Sequence, residues 1–365
     1  MTSQSNTTIR SGNYQVFLGN DTFYQVGKFL SRSDRYRDSK KYILVDSNTK
    51  VHCLPLLQKG VLAFHDATVF EIEAGEKTKN IETIVRLWTE LTESGADRSS
   101  LLLNLGGGMV TDVGGFTAST YMRGIDFINM PTTLLAMVDA SVGGKNGINF
   151  KDQKNQIGTF DEPKAVFASP VFLKTLPQSE IRSGFAEVIK HALISDPVKW
   201  DAVKSIEHLE TENWFNIIRE SVWTKTKIVN SDYHDRHLRK ALNFGHTIGH
   251  ALESYSQKHH KTPLKHGEAV AIGMIGEVYI SQHVCGLNET FANEICSFIR
   301  KHYSLDADFD CDSLITLMKG DKKNISERIN FSLIKSIGEP AINQSCDEGM
   351  IRQALEFCRE KAVIV

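Results

Sequence analysis

The chain has 365 residues, of which 41% are hydrophobic and 24% charged, and its formal net charge is −2. This length predicts two domains, and the near-neutral charge argues against nucleic acid or a membrane surface as a partner. Six scattered cysteines without a CxxC pair exclude a disulfide framework and a thiolate metal site. The N-terminal segment lacks the apolar core of a signal peptide, so we expect a cytoplasmic protein.

Strand and helix signals alternate in the first half of the chain. Short apolar strands are predicted at 41–47, 100–105, 127–133 and 164–169. Between the first two, apolar residues recur at helical spacing at Ile81, Ile84, Val85, Trp88 and Leu91. The alternation predicts an α/β domain of Rossmann-like type, with a mainly parallel sheet and helices on both faces.

The second half shows only helical periodicity from Gln178 to about Cys285. Strand character returns at 329–338, which predicts a small hairpin, and a final helix is predicted near 347–361. Pro177 interrupts the chain, and Ser179 can cap the next helix. The predicted domains are therefore an α/β domain at 1–177 and a mostly α-helical, metal- and substrate-binding domain at 178–365.

A glycine-rich turn lies between a predicted strand and a predicted helix in LNLGGGMVTD, 103–112. Glycine lets backbone N–H groups approach a phosphate, and a helix N-terminus favours negative charge. The spacing is not GxGxxG, so a dinucleotide site and a simple tight turn both stay open. Asp46 ends an upstream strand, where it could bind a ribose hydroxyl or serve as an ordinary turn residue.

Cationic side chains gather around a second glycine turn in TLLAMVDASVGGKNGINFKDQKNQIG, 133–158. Each one alone reads as a solvated surface charge. Together, in a near-neutral protein, they indicate a site for a small molecule with several negative charges. The basic residues in question are Lys145, Lys154, Arg123, Lys190, Lys225 and Arg239.

A metal site is indicated by side chains on three predicted helices: Glu187, either His246 or His250, and His266. His246 and His250 are four residues apart and project from one helical face. Two imidazoles and one carboxylate form an open catalytic zinc set, although cobalt, manganese and iron also accept such donors. The alternative is that Glu187 only forms an ion pair with Lys190.

In this order along the chain, the segments resemble the 3-dehydroquinate synthase family of sugar-phosphate cyclases. The resemblance runs from near residue 45 to near residue 320. It rests on GGGxxTDxxGFxAxxYMRG (106–124), PTTLLAxVDASxGGK (131–145), KNxIGxF (154–160), FLKTLPxxE (172–180), GxAExxKHxLI (184–194), NFGHTIGHAxE (243–253) and HGExVAxGM (266–274).

The resemblance implies a carbon–oxygen lyase of the shikimate pathway, a homodimer with NAD and Zn²⁺ or Co²⁺ as cofactors. Its substrate is a sugar phosphate, 3-deoxy-D-arabino-heptulosonate 7-phosphate, which is converted to 3-dehydroquinate and phosphate. The implied route is transient oxidation by NAD, phosphate elimination, re-reduction and intramolecular aldol closure. NAD is therefore expected to act catalytically.

Matching positions imply the site residues. The metal ligands are Glu187, His246 and His266. The cofactor set is Asp46, Asn48, Glu76, Lys79, Gly107, Gly108, Asp112, Thr132, Thr133, Lys154, Phe172 and Thr175. The substrate set is Arg123, Asp139, Lys145, Asn155, Lys190, Lys225, Arg239, Asn243, His250 and one of Lys322 and Lys323, with Arg123 reaching the partner subunit's phosphate site. The catalytic set is His250, Asp235, Lys190 and Lys145.

One segment departs from the family pattern. DYHDRHLR at 232–239 carries Asp235 where glutamate is usual and His237 where glycine is usual. The alternatives are a different sugar-phosphate cyclase, a metal-dependent polyol dehydrogenase and a catalytically silent NAD-binding regulator. Lys225, Arg239 and Asn243 match the family where the substrate carboxylate binds. This match favours 3-dehydroquinate synthase over a different sugar-phosphate cyclase.

Overall fold

The computed structural model describes residues 6–151, 153–210, 212–303, 308–320, 324 and 328–359. The chain divides into two compact units. The first consists of Met1–Ile181 with Asn213–Asn230, and the second of Arg182–Glu212 with Ser231–Val365. The domain boundary after residue 177 stays a prediction.

The first unit is built on β-strands. They are β1 (Asn6–Ser11), β2 (Tyr14–Gly19), β3 (Lys41–Asp46), β4 (Thr68–Ile72), β5 (Leu101–Gly106), β6 (Asp126–Pro131), β7 (Lys145–Phe150), β8 (Gln153–Phe160) and β9 (Ala165–Ala168). Seven of them form one sheet in the order β1-β2-β9-β6-β5-β3-β4, in which only β1 and β2 pair antiparallel. The predicted mainly parallel sheet is confirmed. Strands β7 and β8 form a separate antiparallel pair.

Mostly apolar sequences, LLLNLG and DFINMP, explain the central strands β5 and β6. Every residue of β5 and β6 is buried, as in parallel strands that are covered on both faces. The strand order changes direction at β3, because β4 pairs on one side of it and β5 on the other. Loops that leave the carboxyl ends of strands at such a point line a crevice that binds ligands in open α/β sheets.

The helices of the described chain, in order, are α1 (Thr22–Arg32), α2 (Asp34–Arg37), α3 (Ser47–His52), α4 (Leu54–Gly60), α5 (Ile81–Glu93), α6 (Gly108–Thr120), α7 (Gln178–Leu193), α8 (Pro197–Lys204), α9 (Trp214–Ser231), α10 (His246–His259), α11 (His266–Cys285), α12 (Glu289–His302), α13 (Cys311–Lys319) and α14 (Glu348–Arg359). The predicted helix at α5 is confirmed, although its buried face carries Leu87 while Val85 is 51% exposed. Val85 lies one residue after Ile84, and therefore about 100° away around the helix.

The second unit is mostly helical, as predicted, with one antiparallel hairpin of β10 (Phe331–Ser336) and β11 (Glu339–Gln344). Its central helix is α11, in which every residue from Ala269 to Val278 is buried. Helices α10, α12 and α14 and strand β10 pack around it. Among the described residues, no helix combines the length and apolar character needed to cross a membrane.

Candidate active site

A cluster of side chains that could hold a metal ion lies in the second unit. Glu187 comes from the middle of α7, while His246 and His266 are the first residues of α10 and α11. The Nε2 atoms of His246 and His266 lie 3.3 Å and 3.4 Å from the same Glu187 oxygen, Oε1. One possible donor atom from each of the three residues lies within 4.8 Å of the other two. Two imidazoles and one carboxylate suit a divalent ion such as zinc.

The other ring nitrogens fix how the two histidines face this cluster. Nδ1 of His246 is 3.1 Å from the carbonyl oxygen of Phe244, and Nδ1 of His266 is 3.2 Å from Oε2 of Glu253. Since a carbonyl oxygen can only accept, Nδ1 of His246 is a donor. Its Nε2 is then free of a proton when the ring is neutral, which is the form that binds a metal ion.

Charge in the cluster favours a bound cation. Glu187 is fully buried, and burial alone would raise the pKa of its carboxyl group. Lys190, His246 and His266 outweigh that effect and hold the pKa well below its usual value. Burial lowers the pKa of His246. Burial would also lower the pKa of His266, but Glu253 and Glu187 raise it to about 10. These carboxylates therefore favour a positive charge at His266, and binding of a metal ion there would displace a proton.

His250 and Lys190 lie beside the three predicted ligands. The ring centroid of His250 is 5.1 Å from that of His246 and 5.9 Å from that of His266. Lys190, which is 1% exposed, forms an ion pair with Oε2 of Glu187. The cluster therefore combines a carboxylate, three imidazoles and a buried ammonium group, which suits both metal binding and proton transfer.

The segment before α10 holds further predicted residues. The Asp232 carboxylate accepts hydrogen bonds from the backbone N–H groups of Arg236, His237 and Arg239. Arg239 is 3% exposed, and its Nη1 donates to the carbonyl of Tyr233 at 2.6 Å. The segment therefore fixes the direction of this guanidinium group.

Asp235 in the same segment has a left-handed backbone, with φ of 60°, which aspartate tolerates better than most residues. His237 has φ of −135° and ψ of −111°, a combination outside the β and right-handed α regions. Asn243, half-buried, ends the 3-10 segment Leu238–Asn243 before α10. Lys322 and Lys323 lie outside the described residues. The roles of these side chains stay predictions.

In the first unit, nearly all members of the predicted cofactor set lie at or just beyond the carboxyl ends of parallel strands. Asp46 accepts a hydrogen bond from the Thr49 N–H at 2.7 Å and caps α3. Gly107 precedes the first turn of α6, which therefore opens at the end of β5. The set consists of Asp46 at the end of β3 and Asn48 after it, Glu76 and Lys79 after β4, Gly107, Gly108 and Asp112 after β5, Thr132 and Thr133 after β6, Phe172 and Thr175 after β9, and Lys154 on β8.

Lys79 links this edge of the sheet to the β7–β8 hairpin. Its ammonium group, which is buried, forms an ion pair with Asp112 and donates to the Asn155 side chain. Asn149 binds the Lys79 carbonyl through its N–H at 2.8 Å, Oε1 of Glu76 through Nδ2 at 2.9 Å, and the Asn155 N–H through Oδ1 at 3.0 Å. Predicted cofactor and substrate residues are therefore joined by an asparagine that the sequence did not single out.

We predict that Lys79→Met lowers the free energy of unfolding by about 3 kcal/mol, because it leaves the Asp112 carboxylate without its buried cation. The matched control is Lys50→Met, which breaks the ion pair with Glu71 between two side chains that are 51% and 40% exposed. That change should cost less than about 1 kcal/mol. Urea denaturation measures both values, and equal losses in the two variants would contradict the prediction.

The remaining predicted substrate residues of the first unit fall into two groups. Lys225 on α9 is buried, and its ammonium group lies 2.9 Å from Oδ1 of Asp139 and 2.5 Å from its backbone oxygen. Lys145 and Arg123 are exposed. Arg123 has a left-handed backbone with φ of 68° and ends the 3-10 segment Tyr121–Arg123 that follows α6.

Sequence reasoning missed two carboxylates of the second unit. Glu253 lies seven residues after His246, hence on the same face of α10, and this spacing could have revealed it. Its carboxylate orients His266, as carboxylates next to metal-binding histidines do. Glu277 lies fully buried on α11 and accepts hydrogen bonds from the start of α10. No local spacing links it to α10, so the sequence held no signal for it.

Known proteins match the chain over nearly its full length. The family described as 3-dehydroquinate synthase N-terminal matches residues 69–183, and the family described as 3-dehydroquinate synthase C-terminal matches residues 184–324. The 3-dehydroquinate synthase of Parabacteroides distasonis is 44% identical over 352 residues, which cover 95% of this chain and 98% of that protein.

Solved structures show the same fold at lower identity. A 2-deoxy-scyllo-inosose synthase complexed with carbaglucose-6-phosphate, NAD⁺ and Co²⁺ aligns with a TM-score of 0.81 at 22% identity, over 96% of this chain and 99% of that one. The 2-epi-5-epi-valiolone synthase of Streptomyces hygroscopicus subsp. jinggangensis 5008, with NAD⁺ and Zn²⁺ bound, aligns with a TM-score of 0.80 at 24% identity, over 96% and 98%. These two structures share the fold at low identity, whereas the two family matches and the relative from Parabacteroides all name 3-dehydroquinate synthase. The chain belongs to the 3-dehydroquinate synthase family.

Proposed function

We propose that the chain converts 3-deoxy-D-arabino-heptulosonate 7-phosphate to 3-dehydroquinate and phosphate, with NAD and a divalent metal ion as cofactors. The observation that carries the proposal is the convergence of Glu187, His246 and His266, with buried Lys190 beside them. Family membership supports the substrate, and the two cyclase structures with NAD⁺ and Co²⁺ or Zn²⁺ support the cofactors.

The residues of the chain divide the work by their chemistry. Glu187, His246 and His266 would hold the metal ion. The loops at the carboxyl ends of β3, β4, β5, β6 and β9 would hold NAD, with the first turn of α6 facing its pyrophosphate. When bound, NAD supplies a reversible hydride acceptor and the metal ion a Lewis acid.

The substrate would be held by cations at both of its ionised ends. Lys225, Arg239 and Asn243 would bind the carboxylate, and Arg239 suits this task because its guanidinium group is already fixed by Tyr233. Lys145, Asn155 and His250 would hold the phosphate, together with Arg123 of the partner subunit in a homodimer. His250 and Asp235 would carry protons, and Lys190 would keep Glu187 ionised. The site as a whole works by positioning and electrostatic stabilisation.

Phosphate release from 3-deoxy-D-arabino-heptulosonate 7-phosphate, measured with trace NAD and zinc, tests this proposal. Absorbance is recorded at the same time to detect NADH. We expect many phosphates released per NAD without accumulation of NADH, since the returned hydride makes the reaction redox-neutral. Stoichiometric NADH would favour a polyol dehydrogenase instead. The control substrate is a heptulose 7-phosphate without the carboxylate. Turnover of that compound alone would favour another cyclase.

A further inference from the structure

Glu277 holds the beginning of the helix that carries His246. Its carboxylate, 0% exposed, accepts hydrogen bonds from the backbone N–H groups of Gly245 at 2.6 Å, Thr247 at 2.9 Å and Ile248 at 3.2 Å. N–H groups in the first turn of a helix have no partner within that helix. A carboxylate at this end also meets the positive end of the helix dipole. Glu277 therefore satisfies these donors from a neighbouring helix.

One peptide group connects this carboxylate to the imidazole of His246. The N–H of Gly245 and the carbonyl of Phe244 belong to the same peptide bond. Glu277 Oε2 accepts from the N–H, while the carbonyl oxygen accepts from Nδ1 of His246 at 3.1 Å. A hydrogen bond donated by one end of a peptide group strengthens the acceptor at its other end. Glu277 thereby favours the protonated Nδ1 that leaves Nε2 facing Glu187.

Glycines on both helices, Gly245 before α10 and Gly273 on α11, allow this contact. Gly245 has φ of 80°, and a Cβ atom there would lie 2.4 Å from Cγ of Met274. A Cβ atom on Gly273 would lie 2.1 Å from the Gly245 carbonyl oxygen and 2.6 Å from the Gly249 nitrogen. Helices α10 and α11 therefore meet backbone to backbone. Glu277 follows Gly273 by one helical turn, which brings its carboxylate to the start of α10.

We propose that Glu277 is a positioning residue for the metal ligand His246. Its carboxylate fixes the Phe244–Gly245 peptide and the first turn of α10, and so sets both the tautomer and the direction of the His246 ring. This inference rests on the proposed metal site. It differs from a purely structural role because it ties Glu277 to metal affinity as well as to the stability of the fold.

Zinc affinity of the purified chain, measured by competition with a chromophoric chelator, tests the proposal. In Glu277→Gln the single amide oxygen can serve either Gly245 or the Thr247 and Ile248 pair, and the amide nitrogen then faces the other donors. Changes to residues that orient metal ligands typically weaken metal binding by about 10- to 100-fold, and we expect a loss of that size. The absorption spectrum of bound Co²⁺ should shift as well, since the ligand direction changes.

The matched control is Ser281→Ala, one turn further along α11. Ser281 is also fully buried, donates to the Glu277 carbonyl oxygen at 2.6 Å and accepts from the Ile334 N–H at 3.2 Å. Its loss disturbs α11 without removing a hydrogen bond to α10. Zinc affinity in this variant should equal that of the unmodified chain even where its melting temperature falls.

The outcomes separate the two proposals. Unchanged zinc affinity and an unchanged Co²⁺ spectrum in Glu277→Gln would overturn the positioning role alone, whatever happens to the melting temperature. Absence of zinc binding in the unmodified chain would overturn the proposed metal site and this inference with it. Glu277→Ala should lose at least as much affinity as Glu277→Gln, and the glutamine variant decides the matter if the alanine variant does not fold.

Discussion

Replacing Glu187 with glutamine is expected to remove zinc from the chain and to abolish phosphate release. Glu187 is the anionic donor among the three converging ligands and is fully buried. In the variant, an amide group stands between two imidazole nitrogens and the ammonium group of Lys190. Even residues that only orient zinc ligands are typically worth roughly 10- to 100-fold in affinity, so we expect the loss of a ligand to exceed about 100-fold.

Metal content after dialysis and chelator competition measure this effect. The control is Glu294→Gln in the same unit, where the carboxylate accepts from Nε1 of Trp200 at 2.6 Å and pairs with Lys204 at 3.0 Å. That variant also removes a carboxylate that pairs with a lysine, but it should retain zinc and activity. Retention of zinc by Glu187→Gln at the level of this control would contradict the proposed ligand set.

Arg239→Ala is expected to reduce kcat/KM for the proposed substrate strongly and to leave NAD affinity unchanged. Removing one side of a buried, charged hydrogen-bonding pair costs about 2–5 kcal/mol, which corresponds to roughly 30-fold to several-thousand-fold. Arg239 is 3% exposed and is held by Tyr233, so its guanidinium group is fixed before substrate arrives. NAD affinity should not respond, because Arg239 does not belong to the predicted cofactor set.

Steady-state kinetics and NAD titration by fluorescence measure the two quantities. Lys240→Ala is the control, since Lys240 is the adjacent cation and its ammonium group donates to Asn343 at 3.0 Å. A heptulose 7-phosphate without the carboxylate should be used equally by Arg239→Ala and by the unmodified chain. Normal turnover of the carboxylate-bearing substrate in Arg239→Ala would argue for a different cyclase.

The sequence was sufficient for the strands whose burial is uniform. Strands β3, β5, β6 and β9 are mostly apolar and almost wholly buried, and each was predicted within about two residues of its observed bounds. Strand β8, with the sequence QKNQIGTF, has neither alternation nor an apolar run, because nearly all of its residues are exposed. Its hairpin was therefore missed, and with it the arrangement that places Asn155 beside Lys79.

The candidate metal site was only partly predictable from spacing. His246 and His250 lie on one face of α10, so periodicity could not decide between them. The structure separates them because His246 is the first residue of α10 and its Nε2 faces Glu187. The ligands come from three helices far apart in the chain, which only the fold or a family resemblance can bring together. The same holds for Glu277, which lies 32 residues from Gly245.

Helix α9 has a consequence for how the chain folds as it is synthesised. The chain leaves the first unit after Ile181, returns for Asn213–Asn230 and leaves again. Ile218 and Val222 of this returning helix are fully buried. Translation usually lets an N-terminal domain complete its fold first. Here the first unit must wait for a helix that emerges after α7 and α8, so it can complete its fold only after Asn230 has been synthesised.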